Sequence, residues 1–154
     1  MVENIIPSKL VLIKKGDMMQ LSDIVEKLSE KFYSDIKAIN DKEAHFVVND
    51  KFCITLEEQE DGSRFYLYGV IGLIDPNEEC LIFSKALEAN LFGRGTGSAS
   101  IGFDKQSRSL IMFQSFEKTV DFKTFYKEFS LFLNLFGQWQ EYCDDCLVEP
   151  LEKR

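Results

Sequence analysis

Asp75–Gly97 reads DPNEECLIFSKALEANLFGRGTG, a helix with its start and stop signals in place and strand-like sequence on either side. Asp75 is a capping residue, Pro76 fits the first helical position, and Glu78 completes a capping box. The spacing predicts a helix to about Phe92, stopped by Gly93. Its apolar residues, from Leu81 and Ile82 through Leu87 to Leu91 and Phe92, cover more than one face. A surface helix normally carries a single apolar stripe. Two buried faces in a chain of 154 residues call for a second subunit over one of them, hence a homodimer.

Upstream, Arg64–Ile74 is long, β-branched and aromatic, as strands are. Phe52–Glu58 alternates, with Phe52, Ile54 and Leu56 on one side and Cys53, Thr55 and Glu57 on the other. His45–Val48 is a short strand and a candidate sheet edge, ending at the turn signal Asn49-Asp50. The turns between these runs are short, which antiparallel pairing permits and parallel pairing does not. Ile36, Ala38 and Ile39 fit a further short strand, although the stretch Asp35–Glu43 has no decided period.

Farther upstream, Met18–Phe32 is predicted as a helix capped by Asp17. Met18, Leu21, Val25, Leu28 and Phe32 form one stripe, widened by Ile24. Downstream of the central helix, Gly93–Ser98 reads as a flexible connector. Strands Ala99–Asp104 and Leu110–Phe116 follow, and then a long helix from Asp121 to about Tyr142. That helix carries Phe122, Phe125, Phe129, Phe132, Phe136 and Trp139 at 3-4 spacing. Gly137 is its weak point, costing about 1 kcal/mol against Ala. The order is α-β-β-β-α-β-β-α: an α+β fold with an antiparallel twisted sheet packed by helices. Residues 1–16 have no clear period and read as an N-terminal arm, either flexible or an added strand, 17–143 as a single domain and 144–154 as a polar tail.

Apolar residues make up 45% of the chain, too many for a disordered one. The formal charge is −8 at pH 7, so phosphate backbones are repelled on average and nucleic acid is not an expected partner. No run approaches the ~20 apolar residues of a membrane span. The N-terminus lacks the order of charge and apolar run of a signal peptide. The expected location is therefore cytoplasmic, where free thiols are the default for the four cysteines.

No set of residues makes a convincing active site, and the chain reads as a non-enzyme without cofactor. Gly93-Arg94-Gly95-Thr96-Gly97 follows a helix and precedes a strand, whereas a phosphate cradle needs the reverse context and a Lys after the last glycine. Cys143-Asp144-Asp145-Cys146 has C-x-x-C spacing but no second pair to complete a zinc site, so no metal is expected. His45, the only histidine, has no nucleophile motif beside it.

Leu87-Glu88-Ala89-Asn90-Leu91-Phe92-Gly93, followed by Gly95-Thr96-Gly97, closely resembles the central motif of the class I type III secretion chaperones, the Tir chaperone family. Asp121 opening a long last helix, with Leu133-Asn134 and then Trp139, is also similar to the family. So is Tyr68–Gly72 leading to Asp75-Pro76. The resemblance spans about Leu21 to Tyr142. It implies a homodimer that binds the N-terminal segment of a secreted effector without ATP and keeps it competent for export. Its partners would be effector proteins and the export apparatus. On this reading Leu87, Leu91, Ile101 and Phe103 form the dimer interface, and Leu21, Val25, Leu28 and Phe46 bind the effector. The alternative is a regulatory protein-binding domain of the same fold, similar to YbjN-like proteins, with no export role. The arm 1–16 and the terminal thiol pair depart from the family pattern.

Overall fold

The structure is a computed structural model that describes residues 18–31, 36–48 and 50–152, with the side chains of 37, 38 and 145–152 left aside. The first helix, α1, is Leu21–Lys31. It begins later than the Met18 expected, because the amides of Asp23 and Ile24 turn back onto the carbonyl of Gln20. Asp17, Phe32, Asn49 and the arm 1–16 lie outside the described residues. Ile24 and Leu28 are fully buried, while Val25 is only half-buried.

Ile36–Asn40 forms a strand of its own, β1, followed by β2 (Glu43–Val48), β3 (Phe52–Glu58) and β4 (Arg64–Leu73). Antiparallel pairing joins each to the next. This corrects the expectation of an edge at His45–Val48. β2 is paired on both sides, and the edge belongs to β1. The sheet is completed by β6 (Ser109–Glu117) beside β4, and by β5 (Ser100–Asp104) at the far edge. All six strands are antiparallel to their neighbours.

The central helix, α2, is Glu79–Asn90. It starts one turn later than the capping residues predict. Asp75 accepts from the amide of Asn77 at 2.8 Å, and its carbonyl accepts from Glu78 at 2.9 Å, so Asp75–Glu78 is a turn that delivers the chain to the helix. The helix ends in a short 3-10 turn, Leu91–Gly93, in which Phe92 and Gly93 both take left-handed backbone angles.

The glycine loop is not the flexible connector expected. The Gly95 amide donates to the Ala89 carbonyl at 3.0 Å, and the buried Thr96 hydroxyl donates to the same oxygen at 3.3 Å. Trp139 donates its indole N–H to the Gly95 carbonyl at 3.0 Å. A Cβ on Gly95 would lie 2.8 Å from that of Ala89, so only glycine lets the loop fold back this closely on α2.

The last helix, α3, is Phe122–Glu152, capped by Asp121, whose carboxylate accepts from the Thr124 amide at 2.7 Å. That hydrogen bond comes first among the causes that hold the Asp121 carboxyl below its usual pKa. The helix runs past the Tyr142 expected. Its Phe125, Phe129, Phe132 and Phe136 are all buried, as the 3-4 spacing requires. They stack on one another and pack edge-on against Phe46, Phe52 and Phe116 of the sheet. Two glycines permit this approach: a Cβ on Gly69 would meet Phe136 at 2.8 Å, and one on Gly137 would meet Phe52 at 2.9 Å. Gly137 is therefore a packing requirement.

Candidate functional sites on the sheet edges and the central helix

Two surfaces stand at opposite edges of the sheet. The first lies where α1 crosses the turn between β1 and β2. A cavity of about 460 Å³ opens there, lined by Gln20, Leu21, Val25, Glu26, Asn40 and Asp41 among others. Leu21 and Val25 contribute to it, but Leu21 keeps only 3% of its surface. Leu28 and Phe46 are 0% and 1% exposed and sit behind the cavity in the core. Of the four residues expected at an effector surface, Val25 alone presents substantial area. Beside the cavity, β1 pairs only with β2 among the described residues and carries an exposed Ile39. Periodicity alone could not separate wall from core here, because one stripe of α1 serves both.

The second surface lies between α2 and the edge strand β5. An apolar groove of about 210 Å³ is lined by Phe83, Leu87, Ile101 and Phe103 among others, with the Phe83 and Phe103 rings 4.6 Å apart. Three of the four expected interface residues thus meet in one groove. Leu91 is absent from its lining but is half-exposed on the 3-10 turn nearby. Leu87 is 71% exposed, whereas Ile101 is buried at the groove floor.

Two contributors escaped the sequence reading. Asn90 accepts from the Ile101 amide at 2.8 Å and donates to its carbonyl at 2.9 Å, so its side chain occupies the outer hydrogen-bonding groups of β5 at mid-strand. That blunts the edge against strand addition. Phe92 is 89% exposed in its left-handed conformation, where non-glycine residues are uncommon. The pair Phe92-Gly93 was legible as a helix stop, but the outward direction of the ring was not.

The remaining candidates resolve structurally. His45 lies in β2, with its ring 2.6 Å from Glu43. Tyr68 donates to Glu57 at 2.9 Å. Burial, then the Glu57 hydrogen bond and the charges of Glu57 and Glu43, push the Tyr68 phenol up to about 12. Lys118, almost wholly buried, pairs with Glu58 at 2.8 Å and lies over the Phe65 ring. Cys53 and Cys80 are exposed and Cys143 is buried, while the Cys146 side chain lies outside those described. Among the described residues no His/Cys/Asp/Glu group is placed to hold a metal ion, and no helix is long and apolar enough to cross a membrane.

The fold is thus an antiparallel six-stranded sheet with its helices on one side, an edge strand β1 that pairs only with β2 among the described residues, and a groove near each edge. The chain belongs to the Tir chaperone protein (CesT) family, which matches residues 21–140. No curated relative matches it. Its fold is similar to a chain of the HopA1–SchA chaperone–effector complex, with a TM-score of 0.60 at 17% identity over 78% of this chain and 92% of that one. It is also similar to a chain of the heterodimeric ExoU–SpcU complex from the type III secretion system of Pseudomonas aeruginosa. There the TM-score is 0.61 at 10% identity, over 79% and 95% of the two chains. For the ExsC–ExsE complex the values are 0.58 and 13%, over 80% and 96%.

Proposed function

We propose that this protein is a cytosolic, homodimeric chaperone that binds the N-terminal segment of a type III secreted effector, without ATP, and keeps it competent for the export apparatus. Family membership and the resemblance to chains of chaperone–effector complexes support the class. The observation that carries the binding mode is the edge of β1, which pairs only with β2 among the described residues, beside the cavity under α1. An extended segment adding to that edge gains backbone hydrogen bonds, and the cavity receives an alternate side chain. Val25 and Leu21 form the wall it meets, while Leu28 and Phe46 hold that wall in place from the core. Such binding draws on contacts alone, because a disordered client loses entropy that many small gains must offset.

Co-expression with candidate effectors, recovery of the complex and mapping of the protected segment test this reading. A segment from the effector N-terminus, held equally with and without nucleotide, is the expected result. Val25→Asp is expected to weaken capture at least tenfold, about 1.4 kcal/mol, with a smaller loss of stability than a fully buried position would show, because Val25 is only half-buried. Leu28→Ala is expected to cost roughly 2–5 kcal/mol of stability instead. Capture of a full-length partner through a folded region, with Val25→Asp silent, would point to a binding domain with no export role.

A further inference from the structure

All three helices lie on one face of the sheet. The α3 rings meet Phe46 and Phe116, and Phe83 of α2 meets Phe103. Lys27 and Lys31 of α1 sit over Phe122 and Tyr126 of α3. Among the described residues no helix covers the other face.

That open face is ordered. Nearest the ends of β4 and β6 where Arg64 pairs with Glu117 stands an acidic row: Glu43 opposite Glu57, then Tyr66 and Ser115. Glu43 and Glu57 face each other directly, an arrangement that destabilises a sheet. Among the described residues, only His45 pairs with either of them as a salt bridge. The next row is Lys37, His45, Thr55, Tyr68, Phe113 and Ser100. Beyond it lie Val47 opposite Cys53, and Val70 opposite Ile111. Val47, Val70 and Phe113 are each at least 39% exposed. Moving away from the Glu117 end, the face thus passes from acidic to apolar.

The chain leading to α1 enters at that same end: the Met19 amide donates to the carbonyl of Lys118, the residue after β6, at 2.8 Å. Upstream of Met18 the sequence offers Asp17 and Gly16 first, then Lys14-Lys15, then Leu10-Val11-Leu12-Ile13, then Lys9 and Ile5-Ile6. Beyond Asp17, read outward from the tether, the arm passes from basic to apolar as the face passes from acidic to apolar. The reach also matches. Lys14 and Lys15 lie three to four residues from Met18, about 10–14 Å of extended chain. The acidic row is two residues along β6 from Glu117, about 7 Å, and Glu57 and Glu43 stand two and three strands across from β6, about 10 and 14 Å, so the lysine side chains complete the span. Ile13–Leu10 fall about 17–28 Å from the tether, and Ile111 is about 20 Å along β6.

We propose that the open face of the sheet is the docking surface of the chain's own N-terminal arm, with Lys14 and Lys15 at Glu43 and Glu57 and Leu10–Ile13 over Tyr68, Val70 and Phe113. This is independent of the effector surface at β1.

The test uses the full-length protein with a zero-length carbodiimide, which joins a lysine amine to a carboxylate only when the two touch. An equal mixture of isotopically light and heavy chains separates links within a chain from links between chains. Links from Lys14 or Lys15 to Glu43 or Glu57 within one chain are expected. No such link, or links only between chains, overturns the proposal. A second readout uses the native thiols. Cys53 lies on the open face and Cys80 is an exposed control on α2. In full-length protein carrying Lys9→Glu, Lys14→Glu and Lys15→Glu, alkylation of Cys53 is expected to quicken about fivefold, from the loss of ordinary surface pairings, with Cys80 unchanged. An unchanged Cys53 rate counts against the docked arm even if the variants fold normally.

Discussion

At the scale of the residue, the cluster Glu43, His45, Glu57 and Tyr68 shows what local pattern does not carry. Each of these is unremarkable in its own strand. They meet because β2–β3 and β3–β4 registers place Glu43 opposite Glu57 and Thr55 opposite Tyr68, and register depends on partners distant in sequence. The consequence can be titrated. With its phenol raised to about 12 against an ordinary value of 10, Tyr68 contributes stability that is fully present below pH 10. That contribution is lost as pH rises through 12, because the folded state holds the proton more tightly than the unfolded one. Burial and Glu57 both raise the value. Glu57→Gln is therefore expected to lower the Tyr68 titration toward 10 without bringing it all the way. Tyrosinate absorbance would show this, with Tyr68→Phe subtracted to isolate the one ring among five tyrosines. A midpoint unmoved in Glu57→Gln would mean that the hydrogen bond is not formed in solution.

At the scale of the element, what the sequence discloses depends on whether the signal is local. The aromatic stripe of α3 is a repeat within one helix, and its residues are buried as the spacing requires. The cap of α3 is a single side chain one residue from the helix, and it too is legible. The start of α2 is less so, because Asp75 serves equally well in a turn and in a cap, and the chain uses it in the turn. β1 is short, ends in a polar residue and bulges between Ala38 and Asn40, so its alternation is too brief to decide the element. Gly137 is the case where local reasoning points the wrong way. Helix propensity alone makes Gly137→Ala stabilising by about 1 kcal/mol. The added methyl would come within 2.9 Å of the Phe52 ring, which itself packs on Phe136 at 5.8 Å, and overpacking a filled core costs about 1–3 kcal/mol. Gly137→Ala is accordingly expected to lose about 1 kcal/mol net, read as a lower denaturant midpoint with an unchanged slope. A rise in the midpoint would show that Phe52 yields freely and that the glycine serves another purpose.

At the scale of the whole molecule, the excess apolar coverage of α2 is present in the single chain, and its explanation is not. Ile82, Ala86 and Ala89 face the core, while Leu81, Leu87, Leu91 and Phe92 stay exposed. Leaving that much apolar surface in water is unusual for a monomer and ordinary for an interface. A second copy related by a two-fold axis would present the same groove and the same projecting side chains, so Phe92 and Leu87 of each protomer would have an apolar surface to meet. An interface of standard size would bury about 800 Å² on each partner. The substitution that tests this must spare the protomer. Ile101→Asp cannot serve, because Ile101 is buried beneath the groove and its loss would unfold the edge of the sheet. Leu87→Asp can, since Leu87 keeps 71% of its surface in the single chain and has little core packing to lose. Sedimentation at micromolar concentration is expected to give a dimer for the parent chain and a monomer for Leu87→Asp, with the circular dichroism of the two alike. Charge at the centre of an apolar interface typically weakens association by 2 kcal/mol or more, roughly thirtyfold. A parent chain that sediments as a monomer would leave α2 free for a different protein. A dimer that survives Leu87→Asp would move the interface away from the groove and return Phe92 to the list of surfaces awaiting a partner.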